Sequence, residues 1–166
     1  MPNLPKRKQI RLENFDYSTA GAYFITICVA NRAKLFWTNC RGELSSPDNA
    51  PLSKIGVIVD NEIQRLNTIY DAVSVDKYCI MPDHIHFIIC IDTDESGRTQ
   101  FAPTISRIIK QFKGSVTKQL GRPIWQKSFI DRVIRNEKEY KAVWEYIENN
   151  PIKPDTAYDT PDFDNI

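Results

Sequence analysis

The chain has little histidine, little glycine and no long apolar run, and each shortage excludes something. Of its 166 residues only two are histidine and six are glycine. Six scattered glycines build no phosphate-cradling loop, so nothing points to ATP-driven chemistry. No apolar run approaches the roughly 20 residues that a membrane-crossing helix needs. The four cysteines, Cys28, Cys40, Cys79 and Cys90, form no CxxC pair. Cys28 and Cys90 sit inside strand-like runs, where a free thiol behaves as a small hydrophobe. This favours a reducing, cytoplasmic setting over a disulfide framework. The opening residues Met1 to Lys8 are basic with no apolar stretch behind them, which does not read as a secretory signal. What remains is the composition of an ordinary globular domain, 42% hydrophobic and 26% charged.

The net charge is only +1, but it is unevenly placed. Between Phe101 and Arg135 stand Arg107, Lys110, Lys113, Lys118, Arg122, Lys127, Arg132 and Arg135, against the single acid Asp131, so this stretch carries +7. The acids gather in Asp92 to Glu95, in Glu137 to Glu148 and in the tail. Such segregation suggests a polyanion-binding face. A solvated helix face with acids folded beside it would leave the same pattern.

Periodicity gives the elements. Ala22 to Ala30 is dense in aromatic and β-branched residues and reads as a buried strand. Ser45 to Pro51 is a loop, and Ser53 is placed to cap a helix whose Ile55, Ile58, Val59, Ile63 and Leu66 follow helical spacing. Val73 to Cys90 reads as two strands around a Met81-Pro82-Asp83 turn. After a polar loop, a helix from about Pro103 to Leu120 carries the apolar stripe Ile105, Ile108, Ile109, Phe112 and Val116. Trp125 to Arg135 is short and extended or irregular. A third helix, from about Glu137 to Asn149, stops before Pro151, with the stripe Tyr140, Val143, Trp144 and Ile147. This order predicts an α+β fold, an antiparallel sheet of ferredoxin-like or RRM-like kind with helices packed on one face. Residues 1–154 form one domain and residues 155–166 a polar tail.

The two histidines stand in the run MPDHIHFIIC, residues 81–90. A strand puts residues i and i+2 on one face, so His84 and His86 point together while Ile85, Phe87 and Ile89 point into the core. Two such imidazoles are half of a divalent-metal site, or a hydrogen-bonded, half-buried polar pair. On the third helix, at about 100° per residue, Tyr146 and Asn150 share a face beside the apolar stripe. Asn150 offers a carbonyl oxygen suited to Mg²⁺ or Mn²⁺, or is a plain helix cap. Tyr146 is a phenol at the edge of a packing surface, or simply an amphipathic tyrosine.

Taken with the later blocks SRIIKQFKGSVTK (106–118) and IWQKSFIDRVIRNEKEYKAVWEYIENNPIKP (124–154), the histidine run resembles the HUH-type single-strand DNA transposases. It is most similar to the REP-associated tyrosine transposases, and the likeness covers about Asp16 to Pro154. The resemblance implies that His84 and His86 bind a divalent metal, Mg²⁺ or Mn²⁺, that Tyr146 is the nucleophile and that Asn150 completes the metal site. It departs from more distant members in having Asn rather than Gln or Asp there. It also implies cleavage and rejoining of single-stranded DNA, directed by sequence or a hairpin, through a 5′-phosphotyrosine. The protein would be a monomer or homodimer, cytoplasmic and nucleoid-associated, with no membrane. Arg107, Lys110, Lys113, Lys118, Arg122, Lys127, Arg132 and Arg135 would hold the DNA backbone. Trp125, Phe129 and Trp37 could stack on bases or anchor loops, and the Lys6 to Arg11 arm could enter a groove. Three rivals stand beside this reading: a hairpin-binding protein that does not cut, a nuclease using activated water, and an RNA-binding domain.

Overall fold

The computed structural model describes residues 20–38, 52–92 and 103–150. The basic arm, Cys40, the 45–51 loop, the polar stretch after Asp92 and the 155–166 tail lie outside the described residues. The elements run β1 (Gly21–Cys28), α1 (Lys54–Ile69), β2 (Val73–Ile80), β3 (His84–Ile91), α2 (Ile105–Leu120), β4 (Ile130–Ile134) and α3 (Glu137–Asn149). The four strands form one sheet in the order β2-β3-β1-β4, every pair antiparallel. This is the βαββαβ arrangement expected of a ferredoxin-like fold. The histidine strand β3 lies inside the sheet.

Each helix begins where a side chain satisfies its free backbone amides. Ser53 Oγ accepts from Gly56 N at 3.0 Å, and Thr104 Oγ1 from Arg107 N at 3.3 Å. Asn136 Oδ1 accepts from Glu139 N at 2.8 Å, and Glu139 Oε2 reaches back to Arg135 N at 2.9 Å. Gly56 is required at the start of α1, because a Cβ there would lie 2.2 Å from the Phe36 carbonyl oxygen. Gly121 ends α2 in the left-handed conformation, φ 68°.

The pleat sorts the core into two layers. Ile85, Phe87, Ile89 and Ile91 of β3 pack with Val59, Ile63 and Leu66 of α1 and with Ile108, Phe112 and Val116 of α2. On the opposite face Phe24, Ile88, Cys79, Met81 and Ile134 meet Val143 and Ile147 of α3. So α1 and α2 share one face, as expected, and α3 adds a layer on the other, where His84 and His86 also point.

Trp144 leaves the stripe assigned to it. It is 38% exposed and lies under the Lys77 ammonium, 4.1 Å from the ring centre. Lys77 also pairs with Glu148, so the indole serves as a cation platform on the helix surface. Tyr140 reaches Asp76 of β2 with its hydroxyl, and Tyr146 meets the His86 ring edge-on. These two contacts fix the course of α3, from the Ile88 end of β3 toward the histidines.

Candidate active site

His84 and His86 are buried, 1% and 2% exposed. Their Nε2 atoms converge to 3.1 Å. Each Nδ1 has a partner behind it: His84 donates to Asp83 Oδ1 at 2.6 Å, and His86 Nδ1 lies 2.7 Å from Thr26 Oγ1. The register explains the second contact, since Thr26 of β1 stands directly across from His86. Phe24 stacks on the His86 ring at 5.4 Å. Burial lowers the pKa of His84, an effect that the hydrogen bond to Asp83 partly offsets. Burial, followed by the charges of His84 and Arg32, lowers that of His86 well below the usual histidine value. Both shifts favour the neutral ring, the state in which imidazole ligates a metal.

The pair fits a divalent cation. Two ligands on adjacent corners of an octahedron, each about 2.1 Å from the ion, lie about 3.0 Å apart. Partners behind each Nδ1 are the usual support of metal-bound histidine. Among the described residues no group of three His, Cys, Asp or Glu side chains could hold a metal, so a third donor drawn from them would be of another type. Asn150 meets that condition. It is 8% exposed, and its Nδ2 is buried with no hydrogen-bond partner among the described residues. A half-turn of the amide exchanges Nδ2 and Oδ1, so an acceptor oxygen can take the orphaned place. Its backbone is right-handed, φ −62° and ψ −41°, so it is not the left-handed cap that asparagine often provides.

Tyr146 is half-buried. Its ring centre is 5.4 Å from that of His86 and 5.9 Å from that of Phe24. Asn150 follows one turn further along the same helix. Tyr140, the other tyrosine of α3, is committed to Asp76. That bond comes second to desolvation in raising its pKa, which makes Tyr140 a poor nucleophile.

Three residues around this site were not singled out from sequence. Thr26 is the one polar residue between Phe24 and Cys28, a signal that was there to read. Asp83 precedes the first histidine and looked like a turn residue. Arg32 gave no signal. It follows Asn31 in a left-handed turn, both with φ 55°, a conformation that costs a non-glycine residue on the order of 1–2 kcal/mol. From there its guanidinium reaches three groups. Nε pairs with Asp83 Oδ2 at 3.0 Å, Nη1 donates to Cys28 Sγ at 2.8 Å, and Nη2 lies 3.5 Å from His84 Nδ1.

The basic residues divide. Arg107, Lys110, Lys118, Arg122, Lys127 and Arg135 are exposed. Lys113 is half-buried and donates to the carbonyls of Gln126 and Ser128, both at 2.9 Å. Arg132 pairs with buried Glu139 at 2.7 Å. Both therefore bind the protein's own chain. The lysines of α2 stand behind the sheet, on the face away from the histidines. The loop after α2 returns toward them, with Ala30 N donating to Ile124 O and Gln126 N to Cys28 O. Trp125 packs on Phe36 and Phe112 at 5.6 and 5.7 Å, and Trp37 Nε1 donates to Ile80 O, so both indoles anchor loops. Among the described residues no helix is long and apolar enough to cross a membrane.

The chain is similar to several known proteins. The family model described as "Transposase IS200 like" matches residues 18–150. An uncharacterized protein of Haemophilus influenzae is 32% identical over 165 residues, covering 88% of each chain. A REP-associated tyrosine transposase of Escherichia coli is 35% identical over 80 residues, 48% of this chain and 44% of its own. The same fold appears in a solved REP-associated tyrosine transposase bound to a REP hairpin, with a TM-score of 0.59 and 20% identity, covering 86% of this chain and 73% of that one. The chain belongs to the IS200-like transposase family.

Proposed function

We propose that the protein cuts and rejoins single-stranded DNA, guided by sequence or a hairpin, with Tyr146 as nucleophile. His84, His86 and Asn150 would hold Mg²⁺ or Mn²⁺. When bound there, such an ion supplies Lewis-acid polarisation of a phosphate and neutralises charge as it develops. The observation that carries the reading is the approach of Tyr146 to His86 within one chain, beside two converging imidazole nitrogens.

The chain's own residues account for the steps. The Tyr146 oxygen attacks phosphorus, and its phenolic proton passes through solvent to the departing 3′-oxygen. The bond to the 3′-oxygen breaks, and that oxygen leaves as a protonated 3′-hydroxyl. The product is a 5′-phosphotyrosine. A phenol of pKa about 10 is a far better leaving group than water-derived hydroxide, so a 3′-hydroxyl can later reverse the step and rejoin DNA. The bond energy stays in the covalent link, so the rejoining step draws on no nucleotide. The exposed cations Arg122 and Lys127, on the loop that returns toward the histidine end of β3, would guide the strand to the site. Those on α2 would take the duplex part of a hairpin around the sheet edge. That the solved relative is bound to a hairpin supports this choice of partner.

The test is direct. Labelled single-stranded hairpin DNA incubated with the protein and Mg²⁺ should give a covalent protein–DNA adduct, and chelation should abolish it. Cleavage without an adduct would favour the activated-water nuclease. Binding without cleavage across many hairpins would favour the non-catalytic hairpin-binding protein.

A further inference from the structure

The two histidines rest on unlike supports. His84 Nδ1 lies 2.6 Å from a carboxylate oxygen of Asp83, and a carboxylate only accepts. His84 therefore carries its proton on Nδ1 and shows a bare lone pair at Nε2. Arg32 pins this arm, because its Nε holds the other Asp83 oxygen at 3.0 Å. His86 has instead a hydroxyl, Thr26 Oγ1, 2.7 Å from its Nδ1.

The 3.1 Å between the two Nε2 atoms constrains the rest. Two bare lone pairs at that distance repel. With no cation between them, His86 must donate Nε2–H to His84. Its Nδ1 is then bare, and Thr26 must donate its hydroxyl proton. With a cation between them, both Nε2 atoms must be bare. His86 then carries its proton on Nδ1, and the same Thr26 oxygen must accept. A hydroxyl serves as donor or acceptor by rotating its hydrogen alone. A carboxylate at this position could not serve the first state, and a methyl could serve neither.

We propose that Thr26 is a positioning residue that works as a two-way hydrogen-bond switch, supporting His86 in both tautomers so that the pair takes up and releases a divalent cation without either ring moving. This rests on reading the histidine pair as a metal site. One proton leaves Nε2 and one is bound at Nδ1 of the same ring, so the switch releases no net proton. The Arg32–Asp83 arm stays fixed while the Thr26 arm changes sense.

The 166-residue sequence has only two histidines, which makes the test tractable. Long-range ¹H–¹⁵N spectra report the tautomer of each ring, first metal-free and then titrated with Mg²⁺, and electron paramagnetic resonance reads Mn²⁺ affinity. The metal-free protein should show one Nδ1–H ring, His84, and one Nε2–H ring, His86, and Mg²⁺ should convert the second to Nδ1–H. Thr26→Val keeps the side-chain shape and should weaken Mn²⁺ binding roughly ten- to hundredfold. Thr26→Ser, which keeps the hydroxyl, should restore it and so exclude a mere folding defect. Two Nδ1–H rings without metal, or a Thr26→Val protein that binds Mn²⁺ as tightly as wild type, would overturn the switch. Rings that ignore Mg²⁺ altogether would overturn the metal reading with it, whereas rings that respond while His86 keeps Nε2–H would overturn the switch alone.

Discussion

Along β3 the odd-numbered side chains Ile85, Phe87, Ile89 and Ile91 are locked between the sheet and the helices α1 and α2, all buried and all apolar. The even-numbered His84 and His86 face α3 and meet Thr26, Asp83 and Tyr146 instead. Eight residues thus serve two purposes divided by the parity of the pleat. The apolar face supplies burial, which stabilises in proportion to area. The other face holds the polar groups of the site, and the buried Asn150 Nδ2, which has no hydrogen-bond partner among the described residues, belongs to the proposed metal site. Stability and chemistry should therefore respond separately to mutation on adjacent residues of one strand.

The strongest break of that comparison is on the apolar face. Phe87 is fully buried and packs edge-on to Phe112 at 6.0 Å. Phe87→Ala should cost roughly 3–5 kcal/mol in chemical denaturation. Its neighbour His86→Ala should lose considerably less stability, yet form no adduct with DNA. Equal destabilisation by the two would contradict the division.

Next is Lys113, which the charge pattern assigned to DNA but which ties α2 to the loop at Gln126 and Ser128. Lys113→Ala should cost about 1.5–3 kcal/mol, the range for a hydrogen bond to a charged group, measured by urea unfolding. An unchanged midpoint would return Lys113 to the DNA-binding set.

The histidine face also predicts a pH dependence. Burial holds both imidazoles below the ordinary value of about 6.5. As pH falls through that value the unfolded chain takes up protons that the folded chain refuses. Stability is therefore full above about pH 6.5 and declines below it. Melting temperatures of the metal-free protein between pH 7.5 and 5.0 should show this decline, and His84→Ala/His86→Ala should flatten it.

The smallest effect is expected at exposed Lys110. Lys110→Ala should leave stability within about 0.5 kcal/mol and lower the salt slope of hairpin binding by about 1. No change in slope would mean that the DNA does not reach the α2 face.

Much of this was legible in the sequence because it is local. The bounds of α3, the Ser53 cap and the common direction of His84 and His86 follow from periodicity and capping chemistry over a few residues. β4 was harder, since its five residues pair only with β1 at the edge of the sheet and leave little pattern of their own. Trp144 was misplaced because helical angle alone does not say how wide the covered stripe is. Arg32 could not be assigned from sequence, because its place depends on a left-handed turn; Thr26 stood out as the one polar residue of its run, but its pairing with His86 depends on the register of two strands 60 residues apart. Lys113 and Arg132 illustrate the same limit, because a charge count does not tell which cations the fold keeps for itself.

The most direct measurement compares the two tyrosines of α3. Tyr146→Phe and Tyr140→Phe should be assayed side by side for covalent attachment to a labelled single-stranded hairpin in Mg²⁺. Tyr146→Phe should bind the hairpin and form no adduct, while Tyr140→Phe should form one as wild type does. An adduct that survives Tyr146→Phe, or is lost only with Tyr140, would contradict the assignment of the nucleophile.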